Sequence, residues 1–144
     1  MKKKKYFFGC VACFAMLIMA SVMVYAAGSG NSVTFNFSIS TTGAGYSSDP
    51  VKKTAAVDAA YAKVTKNASG TIITSKKSTA FIVTTADGTQ ISSEYVLKGA
   101  GEASPIYNST GKNYLADVCL RVNTAEAAIS SSYTVKGTFY PNGS

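Results

Sequence analysis

The 144-residue chain has no histidine, no tryptophan, three prolines and a single arginine, Arg121. Without histidine, Ser-His-Asp and Cys-His catalysis and His-ligated metal sites are excluded by composition. Cysteine is scarce as well. Cys10 and Cys13 lie in an N-terminal apolar run, which leaves Cys119 alone in the remainder. A lone thiol forms no intrachain disulfide and no thiolate zinc cage. No neighbouring residue can serve as its base, so Cys119 reads as inert. Acidic residues number only seven: Asp49, Asp58, Asp87, Glu94, Glu102, Asp117 and Glu126. They are scattered singly, whereas glycoside hydrolysis generally uses two carboxyl groups roughly 5–10 Å apart. No Asp-rich calcium loop and no Gly-rich phosphate loop with a following Lys occurs. Ser75, Lys76 and Ser78 lie close together without a catalytic pattern and read as a solvated strand edge. The expectation is a protein that is not an enzyme and has no cofactor and no metal.

The N-terminus carries the first positive signal. Lys2 to Lys5 precede an apolar run from Tyr6 to Ala27, and Val24-Tyr25-Ala26 offers small residues at the positions a signal peptidase reads. Residues 1–26 are therefore expected to be an export signal cleaved after Ala26, and residues 27–144 a single secreted domain. The rival is an uncleaved anchor, since about 20 apolar residues span a bilayer. Residues 6–27 would then hold the domain at the outer face of the plasma membrane. In both cases the lysines stay inside and the rest is exported. Cys10 and Cys13 open the apolar run instead of following it, which argues against lipidation.

The net charge of +7 changes once the signal is set aside, because residues 27–144 carry ten basic and seven acidic side chains, net +3. A nucleic-acid surface would show a denser basic stripe with Arg and interleaved aromatics. Lys52-Lys53 and Lys76-Lys77 are doublets, while Lys63, Lys66, Lys98, Lys112 and Lys136 are dispersed. Solubility and protection of strand edges account for them, although net +3 also permits weak attraction to an anionic envelope. Nucleic acid is not an expected partner.

Residues 27–144 contain 17 Ser and 15 Thr, with Val, Ile, Tyr and Phe in short alternating runs, and long helical periods are missing. Residues 33–39 (VTFNFSI) place Val33, Phe35, Phe37 and Ile39 on one face. A loop follows, ending at Asp49-Pro50. Residues 54–66 are rich in alanine, which favours helix, yet Val57, Ala59 and Tyr61 also fit one strand face; strand is expected for the second half. Asp87-Gly88, between two β-prone runs, suits the centre of a type I′ hairpin turn. Residues 114–122 place Tyr114, Ala116, Val118, Leu120 and Val122 inward, with Asp117, Cys119 and Arg121 outward. Asn123 and Glu126 read as a capping pair for a helical turn. Residues 132–140 place Tyr133, Val135, Gly137 and Phe139 together. Six to seven short strands with frequent turn signals predict an all-β antiparallel sandwich or small barrel.

Seven tyrosines lie beyond the export segment. Tyr46, Tyr107 and Tyr140 fall in predicted loops or at a strand end, so they are the candidates for a surface binding site, Tyr being suited to interfaces. The segments TFNFSIS, AYAKVT, DGTQISSEYVLKG, YLADVCLRVNT and YTVKGTFYPNG together resemble small secreted β-rich proteins of Gram-positive bacteria, mostly uncharacterised. In that group the final strand ends on a Trp; here Phe139 occupies the matching place, with Tyr140 beside it. The resemblance implies the fold and the compartment and specifies no active site. Some of its members are similar to products encoded near bacteriocin export systems. Two functions are thus expected in order: a secreted binding module whose partner is a protein or a cell-envelope polymer, and a bacteriocin-like antagonistic protein. A monomer or weak oligomer is expected.

Overall fold

The computed structural model describes residues 31–40, 45–69, 76–126 and 131–143. The expected export segment, residues 1–26, lies outside the described residues. Among the described residues, no helix is long and apolar enough to cross a membrane. The described residues form nine strands in two antiparallel sheets: β1 (Val33–Ile39), β2 (Tyr46–Ser47), β3 (Val51–Lys52), β4 (Tyr61–Ala68), β5 (Ser78–Thr85), β6 (Tyr95–Lys98), β7 (Gly101–Ala103), β8 (Asp117–Thr124) and β9 (Tyr133–Tyr140). Sheet A has the order β1-β9-β4-β7. Sheet B has the order β2-β8-β5-β6, with β3 also paired to β8. The architecture is an all-β sandwich. Neither sheet closes into a barrel.

Alternation does most of the folding work. Phe35 and Ile39 of β1, Val118, Leu120 and Val122 of β8, and Tyr133, Val135 and Phe139 of β9 all point inward and are buried. From β4 and β5, Ala62, Val64, Phe81 and Val83 complete the same core cluster. Burying each large apolar side chain contributes about 1.5–3 kcal/mol. Strand β9 lies between β1 and β4, pairing Phe35 with Gly137 on one side and Val64 with Gly137 on the other. A Cβ on Gly137 would lie 2.2 Å from the Lys63 carbonyl oxygen and 2.7 Å from the Phe35 ring. Only glycine lets β4 and β1 approach this point together.

Several expectations need correction. The extra strands β2, β3 and β7 are only two or three residues long, too short for alternation to register. β2 and β3 form one interrupted edge along β8, broken at Ser48-Asp49-Pro50, where a loop had been expected to run throughout. In the 54–66 segment, Tyr61 belongs to the outer face, because Ala62 and Val64 point inward. The hairpin turn centres on Ala86 and Asp87, not on Asp87 and Gly88. The Gly88 N–H closes it onto the Thr85 carbonyl at 3.0 Å, and Gly88 follows with φ +93°. A helical turn at 123–126 does not form: β8 runs through Thr124, and the Glu126 carboxylate accepts the Ser78 N–H at 2.6 Å. The one short helix among the described residues, α1 (Ser109–Asn113), is capped by Asn108, whose side chain accepts the Gly111 N–H at 2.7 Å.

Replacing the glycine at the sheet A crossing tests this account of the packing. Gly137→Ala is expected to lower stability by about 1–3 kcal/mol through overpacking, read as a lower urea midpoint with an unchanged m-value.

Candidate functional site

The three candidate tyrosines do not come together. Tyr46 is half-buried on β2, where its ring stacks on Phe37 at 5.8 Å and its hydroxyl donates to Ser40 Oγ at 3.4 Å. It seals the sandwich where the edge of sheet A meets the edge of sheet B. Tyr107, expected in a surface loop, is instead buried, 6 % exposed. Its hydroxyl donates to the Pro141 carbonyl at 2.8 Å. The 104–108 segment folds inward, with Tyr107 N–H donating to the Asp58 carbonyl at 2.8 Å, and composition alone does not report that docking. Tyr140 alone stands on an outer face. Its ring lies 5.7 Å from that of Tyr61, tilted by 43°.

Around Tyr107 lies a buried polar centre that sequence reasoning missed. Lys53 is fully buried. Its ammonium donates to the Ala55 carbonyl at 2.6 Å and the Lys112 carbonyl at 2.8 Å, and sits 4.8 Å from the centroid of the Tyr107 ring. Carbonyl dipoles and the ring quadrupole take the place of a carboxylate partner. Burial pushes the Lys53 ammonium below its ordinary value of 10.5. Burial also pushes the Tyr107 phenol upward. Beside this centre, Asn142 Oδ1 accepts the Thr54 and Ala55 N–H groups at 2.8 and 3.0 Å. The C-terminal segment thereby pins the 53–55 segment. Doublet patterning had marked Lys53 as a surface charge; the sequence signal for its burial is faint.

A second buried polar group joins sheet A to sheet B, while the buried Ser69 Oγ has no hydrogen-bond partner. Thr79 donates to Asn67 Oδ1 at 2.9 Å and so accepts from the Tyr133 hydroxyl at 3.1 Å. Asn67 Nδ2 donates to the Leu97 carbonyl at 3.2 Å. The carboxylates are dispersed over separate elements. Asp58 meets Lys112 at 2.6 Å, Glu102 accepts the Tyr61 hydroxyl at 2.8 Å, and Asp87 is held below its ordinary value chiefly by the Thr85 hydroxyl. Among the described residues, no three Cys, Asp or Glu side chains converge on one point. Cys119 points to the outer side of β8 as expected, yet it is only 6 % exposed. Burial, with Asp49 and Asp117 nearby, pushes its thiol up.

The outer face of sheet A is different. Tyr61, Lys63 and Thr65 of β4, with Thr138 and Tyr140 of β9, stand away from the core, and Lys63 lies opposite Glu102 of β7. Thr34, Asn36 and Ser38 of β1 continue the face and are exposed. This polar surface has two tyrosine rings at one end. No protein-family model, curated protein or solved structure matches the chain.

Two measurements follow from the buried groups. The unfolded chain, whose lysine titrates at the ordinary 10.5, binds more protons than the folded one just below that value. The penalty on the folded state is therefore present at lower pH and disappears as pH rises past 10.5, so Lys53 makes stability climb across that window. Tyr107 opposes this above its ordinary 10.0, where the unfolded phenol ionises first. Lys53→Met is expected to cost about 1–3 kcal/mol near neutral pH by leaving two buried carbonyls unpaired, and to remove the climb; chemical denaturation at stepped pH reads both. At Cys119, alkylation at neutral pH should be slow in the native protein and complete after unfolding, measured by mass spectrometry of the Cys119 peptide.

Proposed function

We propose that the protein is a secreted, non-enzymatic β-sandwich that works as a binding module at or outside the cell envelope. The outer face of sheet A is its contact surface. The observation that carries this reading is a contrast in how polar groups are used. Lys53, Asn67, Thr79, Ser48, Ser92 and Asn142 are all locked into internal hydrogen bonds. On the outer face of β1, β9 and β4, Thr34, Asn36, Ser38, Lys63, Thr65 and Lys136 are exposed and spaced by the sheet itself. Such a surface suits an extended polymer better than a compact small molecule, because its donors are laid out along strands and not around a cavity. Tyr61 and Tyr140 supply apolar ring faces with polar tips at one end. Glu102 fixes the Tyr61 hydroxyl and with it the orientation of that ring.

Immobilised protein should retain polymer from a cell-envelope fraction, and the double substitution Tyr61→Ala with Tyr140→Ala should reduce the retained amount several-fold. Retention by the double variant equal to that of the parent, with both folded by circular dichroism, would remove this face as the contact surface. No retention by the parent would count against the function itself.

A further inference from the structure

The outer face of sheet A also carries a charge arrangement that the fold itself does not require. Lys66 of β4 and Lys136 of β9 are directly opposite in the register. Directly opposed Cα atoms in an antiparallel pair lie roughly 4.5–5.5 Å apart, and like charges placed so are destabilising. Lys63 stands on the same face. Among the described residues, the one ion pair is Lys112 with Asp58, elsewhere in the molecule. Glu102, the carboxylate opposite Lys63, accepts a hydrogen bond from the Tyr61 hydroxyl. Protection of strand edges does not explain Lys136, because β9 is paired on both sides there, with Asn36 of β1 and Lys66 of β4.

A β-bulge produces the juxtaposition. The β4–β9 register shifts between Val64 and Lys66. Strict alternation from Ala62 and Val64 would turn Lys66 inward and Asn67 outward. The extra residue, Thr65, reverses both: Lys66 joins Lys136 outside, and Asn67 enters the interior to meet Thr79. The Thr65 hydroxyl donates to the Lys136 carbonyl at 3.1 Å and ties the bulge to the opposing lysine. Bulges re-aim side chains in this way at functional surfaces.

We propose that this face binds a linear polyanion, a phosphate-bearing, hydroxyl-rich chain laid across β4 and β9. The inference rests on the reading of this face as the contact surface and names its ligand. Lysine ammonium groups are point charges with rotatable donors, suited to phosphate oxygens more than to one fixed bidentate geometry. A phosphate between Lys66 and Lys136 turns their mutual repulsion into a shared attraction. Thr134, Thr138 and Asn36 supply hydroxyl and amide groups for the polyol part of the chain. Beyond the rings of Tyr61 and Tyr140, the face offers no large apolar side chain for a bilayer, so the occupant is a polymer in water. On sheet B, Lys52 lies opposite Asp117 in the register, so no two lysines face each other there as Lys66 and Lys136 do.

The test titrates the purified protein with poly(glycerol phosphate), using dextran, anionic phospholipid vesicles and duplex DNA as the other probes. Binding to poly(glycerol phosphate) that weakens as salt is added, with none to dextran, is expected. Lys66→Gln and Lys136→Gln should each weaken it roughly fivefold, while Lys98→Gln on sheet B leaves it unchanged. Each of the first two should also raise the thermal midpoint, because the like-charge contact is gone; a purely structural role for either lysine predicts the opposite shift. Affinity unaltered in both variants, an equal loss in Lys98→Gln, or tighter binding to vesicles or DNA overturns the proposal. If the protein retains envelope polymer through Tyr61 and Tyr140 yet ignores poly(glycerol phosphate), the ligand assignment fails and the contact face stands. If it retains neither, both fail.

Discussion

The insertion of β9 between β1 and β4 is the constraint on which the rest of the molecule depends. Among the described residues, β9 is the one link in sheet A between β1 and the other strands. Without β9, β1 has no partner in sheet A, and β4 keeps only its short pairing with β7. That dependence is long in sequence: Val33 pairs with Phe139 and Tyr61 with Tyr140. Closing such contacts costs loop entropy before packing compensates. Gly137 marks a close approach of three strands, and Pro141 and Asn142, just beyond, anchor Tyr107 and the 53–55 segment. The same strand thus organises the core, the buried lysine centre and the outer face.

A second theme is the use of hydroxyls as backbone partners. Where a short strand stops, a serine side chain replaces the missing ladder group. Ser48 Oγ accepts the Leu120 N–H at 3.0 Å between β2 and β3, and Ser92 Oγ accepts the Val83 N–H at 2.8 Å beyond the hairpin turn. A buried N–H left without a partner costs about 1–3 kcal/mol. The abundance of Ser and Thr thus has a structural reason beyond strand propensity. It lets irregular edges remain satisfied without long regular strands. Lys53 is the charged version of the same solution, an ammonium serving two carbonyls and a ring.

Much of the sandwich was legible in the residues themselves. The inward faces of β1, β8 and β9 follow from period-two alternation, because a one-residue slip would expose every apolar side chain at once. The candidate site was far less legible. Tyr107 looked like a loop residue because its segment has no periodicity, yet that segment docks inward against Asp58 and Pro141. Tyr61 was placed with the wrong neighbours because the alanines around it suit either phase and either secondary structure. Lys66 and Lys136 are seventy residues apart, and only the register and its bulge bring them level.

A chain without histidine has no imidazole chemistry in any fold. Composition and alternation also determined the all-β class, since those are properties of each strand taken singly. Tertiary structure alone decided that Lys53 is buried without a carboxylate, that Tyr107 is interior, and that two lysines oppose each other on central strands. Each of these depends on a contact between distant segments or on one extra residue in a strand, and neither leaves a trace in local pattern.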